Sequence, residues 1–220
     1  MARERKEPVV VIGLGRFGSA LALDLNRRGT EVLAIDRSPN VVQHHAGQLT
    51  QVVSADCTDI DALRELGVGD FYKGVVAIGS DIEASILVTS LLVELGVEDI
   101  WAKAITAHHG RILERVGAHH VVFPEREAGE RVAHLVSGQM LDYMQVDTDF
   151  AIAEVRPPHQ LVGITLAQAS LRTKFGVTVV AVKSLGGAFT NATPDTVLTH
   201  DDVALVTGRV SDLERFASLL

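Results

Sequence analysis

Val9-Val10-Val11-Ile12-Gly13-Leu14-Gly15-Arg16-Phe17-Gly18 is an unbroken apolar run that ends in a Gly-x-Gly-x-x-Gly loop, and Asp36 follows eighteen residues after its last glycine. Val9 to Ile12 reads as a buried parallel strand, and Ser19 to Leu23 as the helix it feeds. In such a loop the first glycine permits the tight turn and the second lets a pyrophosphate approach the backbone. The third lets helix and strand pack closely, with the phosphates on the helix N-terminus. Glu31 to Ile35 makes a second strand ending in Asp36, where a carboxylate can accept both hydroxyls of an adenosine ribose. Strand, helix, second strand and terminal acid in register point to an adenine-nucleotide site.

Beyond these elements strand-like and helix-like stretches alternate as far as Pro124. The expected strands are Gln51–Ala55, Lys73–Ile78, Ile100–Ala104 and His120–Phe123, after the two already described. Helices are expected at Pro39–Ala46, at Asp59–Leu66 with Thr58 or Asp59 as cap, and at His108–Val116. Ser80-Asp81-Ile82-Glu83 reads as a capping box opening a longer helix that runs through Leu95 and closes at Gly96. Six strands with intervening helices give an α/β fold, a Rossmann-type doubly wound parallel sheet over residues 1–124.

Residues 125–147 read as a crossover helix and linker, the helix running from Glu125 to about Met144. Packing of that helix on the sheet is the plainer alternative. Residues 148–220 then read as a small α+β lobe: strands at Phe150–Val155, Val177–Val182 and Asp202–Thr207, helical spacing over Thr165–Phe175, and a turn at Gly186-Gly187. A final helix is expected from Ser211 to Leu220, with Ser211 and Glu214 as a second capping box.

Composition narrows the function. Among 220 residues 47% are hydrophobic and 22% charged, enough for a packed core. No apolar run approaches the roughly 20 residues of a membrane span. The net charge of −8 argues against nucleic acid and against direct adhesion to anionic lipid. The single cysteine, Cys57, excludes an internal disulfide and fits a reducing cytosol.

Candidate binding residues gather at the carboxyl edge of the sheet, where open α/β folds take ligands. Arg16 within the glycine loop suits a terminal phosphate, with pairing to a carboxylate as its alternative. Arg37 suits the adenine face or a 2′-phosphate, which Asp36 would repel. Asp56 either accepts from the adenine amino group or serves its turn, and Cys57 reads as a packing residue. The backbone of Gly79 and Ser80 should face the ligand, with Ser80 as helix cap. Lys103 and Glu125 close the fifth and sixth strands, and Glu125 suits a cation accompanying phosphates or the first turn of its helix. The nine histidines show no metal-ligand spacing, and the neighbouring pairs His44-His45, His108-His109 and His119-His120 read as partly exposed. Nothing in residues 148–220 suggests a nucleophile, a carboxylate pair or a metal cluster, which weakens the alternative of an NAD(P)-dependent oxidoreductase.

Taken together, Val10 to Gly18, Ala34-Ile35-Asp36, Ala55-Asp56-Cys57-Thr58-Asp59, Trp101-Ala102-Lys103-Ala104 and Val122-Phe123-Pro124-Glu125 resemble the RCK (regulator of potassium conductance) proteins of Ktr/Trk potassium uptake, most nearly the Ktr regulatory subunits. Ala55 stands where the family commonly has glycine. The resemblance covers essentially the whole chain and implies a non-catalytic cytoplasmic subunit, held at the membrane through a potassium channel or transporter partner. It implies a homodimer assembling into an octameric ring whose shape responds to ATP and ADP. By the same resemblance Arg16 meets the terminal phosphate, Glu125 a Mg²⁺, Ca²⁺ or Na⁺, and Asp36 with Arg37 the ribose and its surroundings. Trk relatives sense NAD(H) instead, which is the alternative effector. Members of the family can also bind cyclic di-AMP between C-terminal lobes, and Val162-Gly163-Ile164, Arg172 and Pro194 stand at the matching positions.

Overall fold

The computed structural model describes residues 7–137 and 140–219. Residues 1–6 of the amino-terminal domain, positions 138 and 139 of the expected long helix and the final residue of the last helix lie outside the described residues. The chain divides into two compact units, one ending at Glu125 and the other beginning at Arg126.

In the first unit β1 (Val9–Ile12), α1 (Arg16–Arg27), β2 (Val32–Asp36), α2 (Pro39–His45), β3 (Gln51–Ser54), α3 (Ile60–Glu65), β4 (Lys73–Val76), α4 (Ile82–Glu94), β5 (Asp99–Lys103), α5 (Ala107–Val116) and β6 (His120–Val122) follow in order. The strands form one sheet in the order β3-β2-β1-β4-β5-β6, and every pairing is parallel. Side-chain alternation splits the buried strands between two cores. Val10, Ile12, Leu33, Ile35 and Val76 pack with Val88 and Leu92 of α4 and Leu113 of α5. Val9, Val11, Val32 and Ala34 pack on the other side with Leu21 and Ala22 of α1. The chain leaves β1 for β2 on one side and returns to β4 on the other, so a crevice opens where the strand order reverses.

Ser80 does not cap α4: Asp81 does, its carboxylate accepting from the Ala84 amide at 3.0 Å, so the expected capping box is absent. A serine and an aspartate stand side by side, and the register of the first turn selects the second. His45 and His109 are buried rather than partly exposed. The His45 ring bonds the Val41 carbonyl at 2.8 Å, and His109 is lowered from its ordinary pKa by burial.

Pro124 begins α6 (Pro124–Val136), which carries no buried residue and leaves Val132 and Val136 exposed. The long helix to Met144 is therefore corrected: it stops at Val136, and Asp142–Asp147 is a strand, β7. Within the second unit Arg131 grips Asp142 through two bonds of 2.8 and 2.7 Å, and the His134 ring stacks on Tyr143 at 3.9 Å. Met140 and Tyr143 enter the core of this unit.

β8 (Phe150–Val155), α7 (Leu166–Ala169), α8 (Leu171–Phe175), β9 (Thr178–Lys183), β10 (Thr190–Asn191), β11 (Val203–Gly208) and α9 (Val210–Ala217) complete the unit. Its sheet is antiparallel, in the order β10-β9-β11-β8-β7. Small inward residues Ala151, Ala153 and Ala204 make room for Leu213 and Phe216 of α9. The helical stretch expected over Thr165–Phe175 is two short helices broken at Ser170, whose φ is +51°. Thr165 and Gln168 form a capping box there. The expected box of Ser211 and Glu214 is absent, because the cap position falls two residues earlier, at Arg209.

Candidate functional site

A cleft of about 750 Å³ opens in the first unit at the carboxyl ends of β1, β2 and β4. Twelve of the thirteen residues expected to bind line it: Gly13, Gly15, Arg16, Phe17, Asp36, Arg37, Asp56, Cys57, Gly79, Ser80, Lys103 and Glu125. The thirteenth, Gly18, lies in α1 and works through packing. A Cβ there would sit 1.9 Å from the Gly13 carbonyl oxygen.

The glycine loop is fixed from both sides. The Gly13 amide donates to the Ile35 carbonyl at 2.8 Å, the Ala77 amide donates to Ile12 at 2.7 Å, and Ser19 Oγ donates to the Leu14 carbonyl at 2.7 Å. Gly13 has a φ of +95°, which favours glycine. Gly15 takes the cap position of α1, and without a side chain it caps nothing; the first turn of α1 holds no acid. The positive end of α1 thus meets the cleft, an arrangement suited to anions.

Asp36 is built into this loop. One carboxylate oxygen accepts from the Leu14 amide at 2.7 Å and the other from the Ser38 amide at 2.8 Å. Each oxygen keeps a lone pair for a ribose hydroxyl. Arg37 stands beside it, its guanidinium 3.7 Å from Asp81 in an exposed pair of small energetic weight. Asp56 lines the cleft but spends one oxygen on its own turn, accepting from the Thr58 amide at 3.0 Å and the Thr58 hydroxyl at 2.7 Å. Those bonds, opposed by desolvation, hold its carboxyl below the usual range. Burial, reinforced by the charges of Asp56 and Asp36, pushes the Cys57 thiol up to about 12, so it is protonated and unreactive at neutral pH.

Lys103 and Glu125 form the opposite rim. The largely buried Lys103 ammonium donates to Glu125 Oε1 at 2.6 Å and lies 5.9 Å from the centre of the Phe17 ring. The Lys103 hydrogen bond lowers the Glu125 carboxyl most. Desolvation opposes it, while the residue's own amide and the charges of Lys103 and Arg16 lower it further. A depressed carboxyl contributes stability above its ordinary pKa, and this is lost as pH falls through the depressed value. We expect Lys103→Met to move the Glu125 carboxyl back up toward the ordinary glutamate range in an NMR titration; an unmoved midpoint would show that Lys103 is not the cause.

Among the described residues no three His, Cys, Asp or Glu side chains converge on a metal position. Glu125 has one oxygen engaged by Lys103 and one further, so among the described residues it offers a cation a single carboxylate ligand.

Sequence reasoning missed the apolar and helix-borne lining: Val41 of α2, Leu87 of α4, and Ile105 after β5. Leu87 and Ile105 are more than two-fifths exposed, and no local motif sets them apart from other apolar residues of their segments. In the second unit, Val162 bridges Leu198, the Pro194 carbonyl accepts from the Ala167 amide, and Arg172 reaches Thr178 Oγ1 at 3.3 Å.

The TrkA-N domain signature matches residues 9–124 and the TrkA-C domain signature residues 150–220. The chain is 37% identical over 212 residues to Ktr system potassium uptake protein C of Bacillus subtilis, covering 96% of each. It is 34% identical over 217 residues to Ktr system potassium uptake protein A of the same organism, covering 98% of each. Against Ktr system potassium uptake protein A of Vibrio alginolyticus the identity is 36%, over 90% of each. Among solved structures, the GsuK RCK domain aligns with the whole chain at a TM-score of 0.67 and 19% identity, and the chain spans about half (48%) of that protein. The GsuK channel bound to NAD aligns at 0.67 and 19%, with 40% of that chain covered. The chain belongs to the family of TrkA-N and TrkA-C domain proteins that includes the Ktr system potassium uptake proteins.

Proposed function

We propose that this protein is a non-catalytic regulatory subunit of potassium uptake that senses ATP and ADP in the cleft of its first unit. The observation that carries the reading is the pairing of the glycine loop with Asp36. The carboxylate is held by two backbone amides beside the uncapped start of α1, with Arg16 and Lys103 on the same cleft. The potassium role rests on the similarity to the Ktr system proteins over nearly the full length. In this reading Asp36 takes the ribose, the loop amides the phosphates, and Arg16 the terminal phosphate. Glu125 shares a Mg²⁺, Ca²⁺ or Na⁺ with those phosphates.

The subunit is cytoplasmic and reaches the membrane through a potassium channel or transporter partner. Among the described residues no helix is long and apolar enough to cross a membrane. Two chains pair and the pairs build an octameric ring. ATP and ADP bias that ring only by binding its two shapes with different affinity. Cyclic di-AMP is the proposed ligand of the second unit, near Val162–Ile164 and Arg172. NAD(H) is the alternative occupant of the cleft, favoured by the similarity of fold to a channel described as bound to NAD.

Arg16 separates the two effectors. A charge-assisted hydrogen bond to the terminal phosphate contributes about 1.5–3 kcal/mol, or on the order of 10- to 100-fold in affinity. We expect Arg16→Ala to lose about that much ATP affinity in calorimetry and much less for ADP. Equal losses for ATP, ADP and NADH would contradict the terminal-phosphate role.

A further inference from the structure

His159 and His200 stand 41 residues apart in sequence, yet His159 Nδ1 and His200 Nε2 lie 3.1 Å apart. Their rings meet edge to face, with centroids 4.4 Å apart and planes at 71°. Both rings are exposed, so no demand of core packing brings them together.

The backbone holds each ring in place. His159 follows the buried Pro157-Pro158 pair, and the next turn is anchored by the buried Leu161. His200 rides a tight turn whose buried Asp202 accepts from the Thr199 amide at 2.8 Å. The two segments are joined by Gly163 N donating to the Leu198 carbonyl at 2.9 Å and Leu166 N donating to Thr196 at 3.0 Å. Paired loops of this kind preset the imidazoles, which lowers the entropy cost of bringing two ligands to one ion.

Two imidazole nitrogens bound to one Zn²⁺ at about 2.0–2.1 Å with tetrahedral angles are about 3.3 Å apart. The observed separation is close to that value. We propose that His159 and His200 form a chelating site for a borderline divalent transition metal, of which Zn²⁺ is the natural occupant, on the surface of the second unit. The hydrogen-bonded pair becomes a ligand pair when the shared proton moves to the far nitrogen of its own ring, leaving both facing lone pairs free. Imidazole donors select Zn²⁺, Ni²⁺, Co²⁺ or Cu²⁺ over Mg²⁺ and Ca²⁺. No third His, Cys, Asp or Glu joins the pair among the described residues, so water completes the coordination and the site stays open. Bound metal clamps the loop after β8 to the turn before β11.

The site is independent of the nucleotide cleft and is tested on the nucleotide-free full chain. Co²⁺ is titrated with detection of its d–d absorption, and Zn²⁺ by calorimetry, against the wild type, His159→Gln, His200→Gln and the control His44→Gln. Circular dichroism checks that each variant is folded. The proposal expects saturable uptake of Zn²⁺, no displacement by equimolar Mg²⁺, and more than about tenfold weaker binding in each of the first two variants, with His44→Gln unchanged. Absence of binding by the wild type, wild-type affinity in His159→Gln or His200→Gln, or displacement by equimolar Mg²⁺ would overturn it.

Discussion

Gly18→Ala is expected to destabilise the first unit by about 3 kcal/mol, at the upper end of the cost of overpacking a core. The added methyl would stand 1.9 Å from the Gly13 carbonyl oxygen, 2.9 Å from Ala77 Cβ and 3.0 Å from the Gly13 carbonyl carbon. None of these atoms is the end of a flexible side chain. The bonds from Gly13 to Ile35 and from Ala77 to Ile12 prevent the loop from backing away, so α1 itself must move. The shift separates the start of α1 from the glycine loop, and nucleotide affinity falls with stability. Gly15→Ala is the paired control. Its Cβ meets nothing within 4 Å and the residue has a φ of −67°, so only the change from glycine to alanine at the cap position remains, about 1 kcal/mol or less. Urea unfolding monitored at Trp101 measures both. A Gly18→Ala protein as stable as Gly15→Ala would show that the close approach of α1 to the loop is not what this glycine serves.

Asp36→Ala is expected to lower nucleotide affinity on the order of 100-fold. Removing the carboxylate withdraws the charge-assisted bonds to the ribose that the proposed function assigns to it, about 3 kcal/mol at the upper end of their usual range. It also strands the Leu14 and Ser38 amides, which lose their acceptors. A stability loss of about 1–2 kcal/mol follows from that second effect alone. Asp36→Asn is no mild substitute. An amide keeps one acceptor oxygen but turns its NH₂ toward the other backbone N–H, so it relaxes the loop while shedding the charge. Calorimetry on folded protein separates the two effects. Retention of full ATP and ADP affinity by Asp36→Ala would remove the ribose from this position.

The glycine loop, β1, β2 and the doubly wound, parallel character of the first sheet were legible because local pattern and topology agree there. Continuous apolar runs mark strands buried on both faces, and the loop glycines leave few alternatives. Where two local signals competed, tertiary register decided. Ser80 and Asp81 are equally good caps on paper, and only the turn geometry gives the role to Asp81. β7 was hidden because Val136, Met140 and Leu141 extend a helical spacing. Its strand state depends on pairing with β8 and on the grip of Arg131 on Asp142. In the cleft, charged and glycine residues announced themselves by position, whereas Val41, Leu87 and Ile105 carry no motif. His159 and His200 illustrate the same limit at longer range: pairing across 41 residues is set by two loops, and neither has a spacing signature.

In the function proposed above, the first unit reads the phosphate state of an adenine nucleotide. The most direct test is a calorimetric titration of ATP, ADP and NADH into the wild-type protein with Mg²⁺ present. Saturable binding of ATP and ADP is expected, with NADH weaker by about tenfold or more. Preferential binding of NADH would contradict that function and transfer the cleft to a redox cofactor.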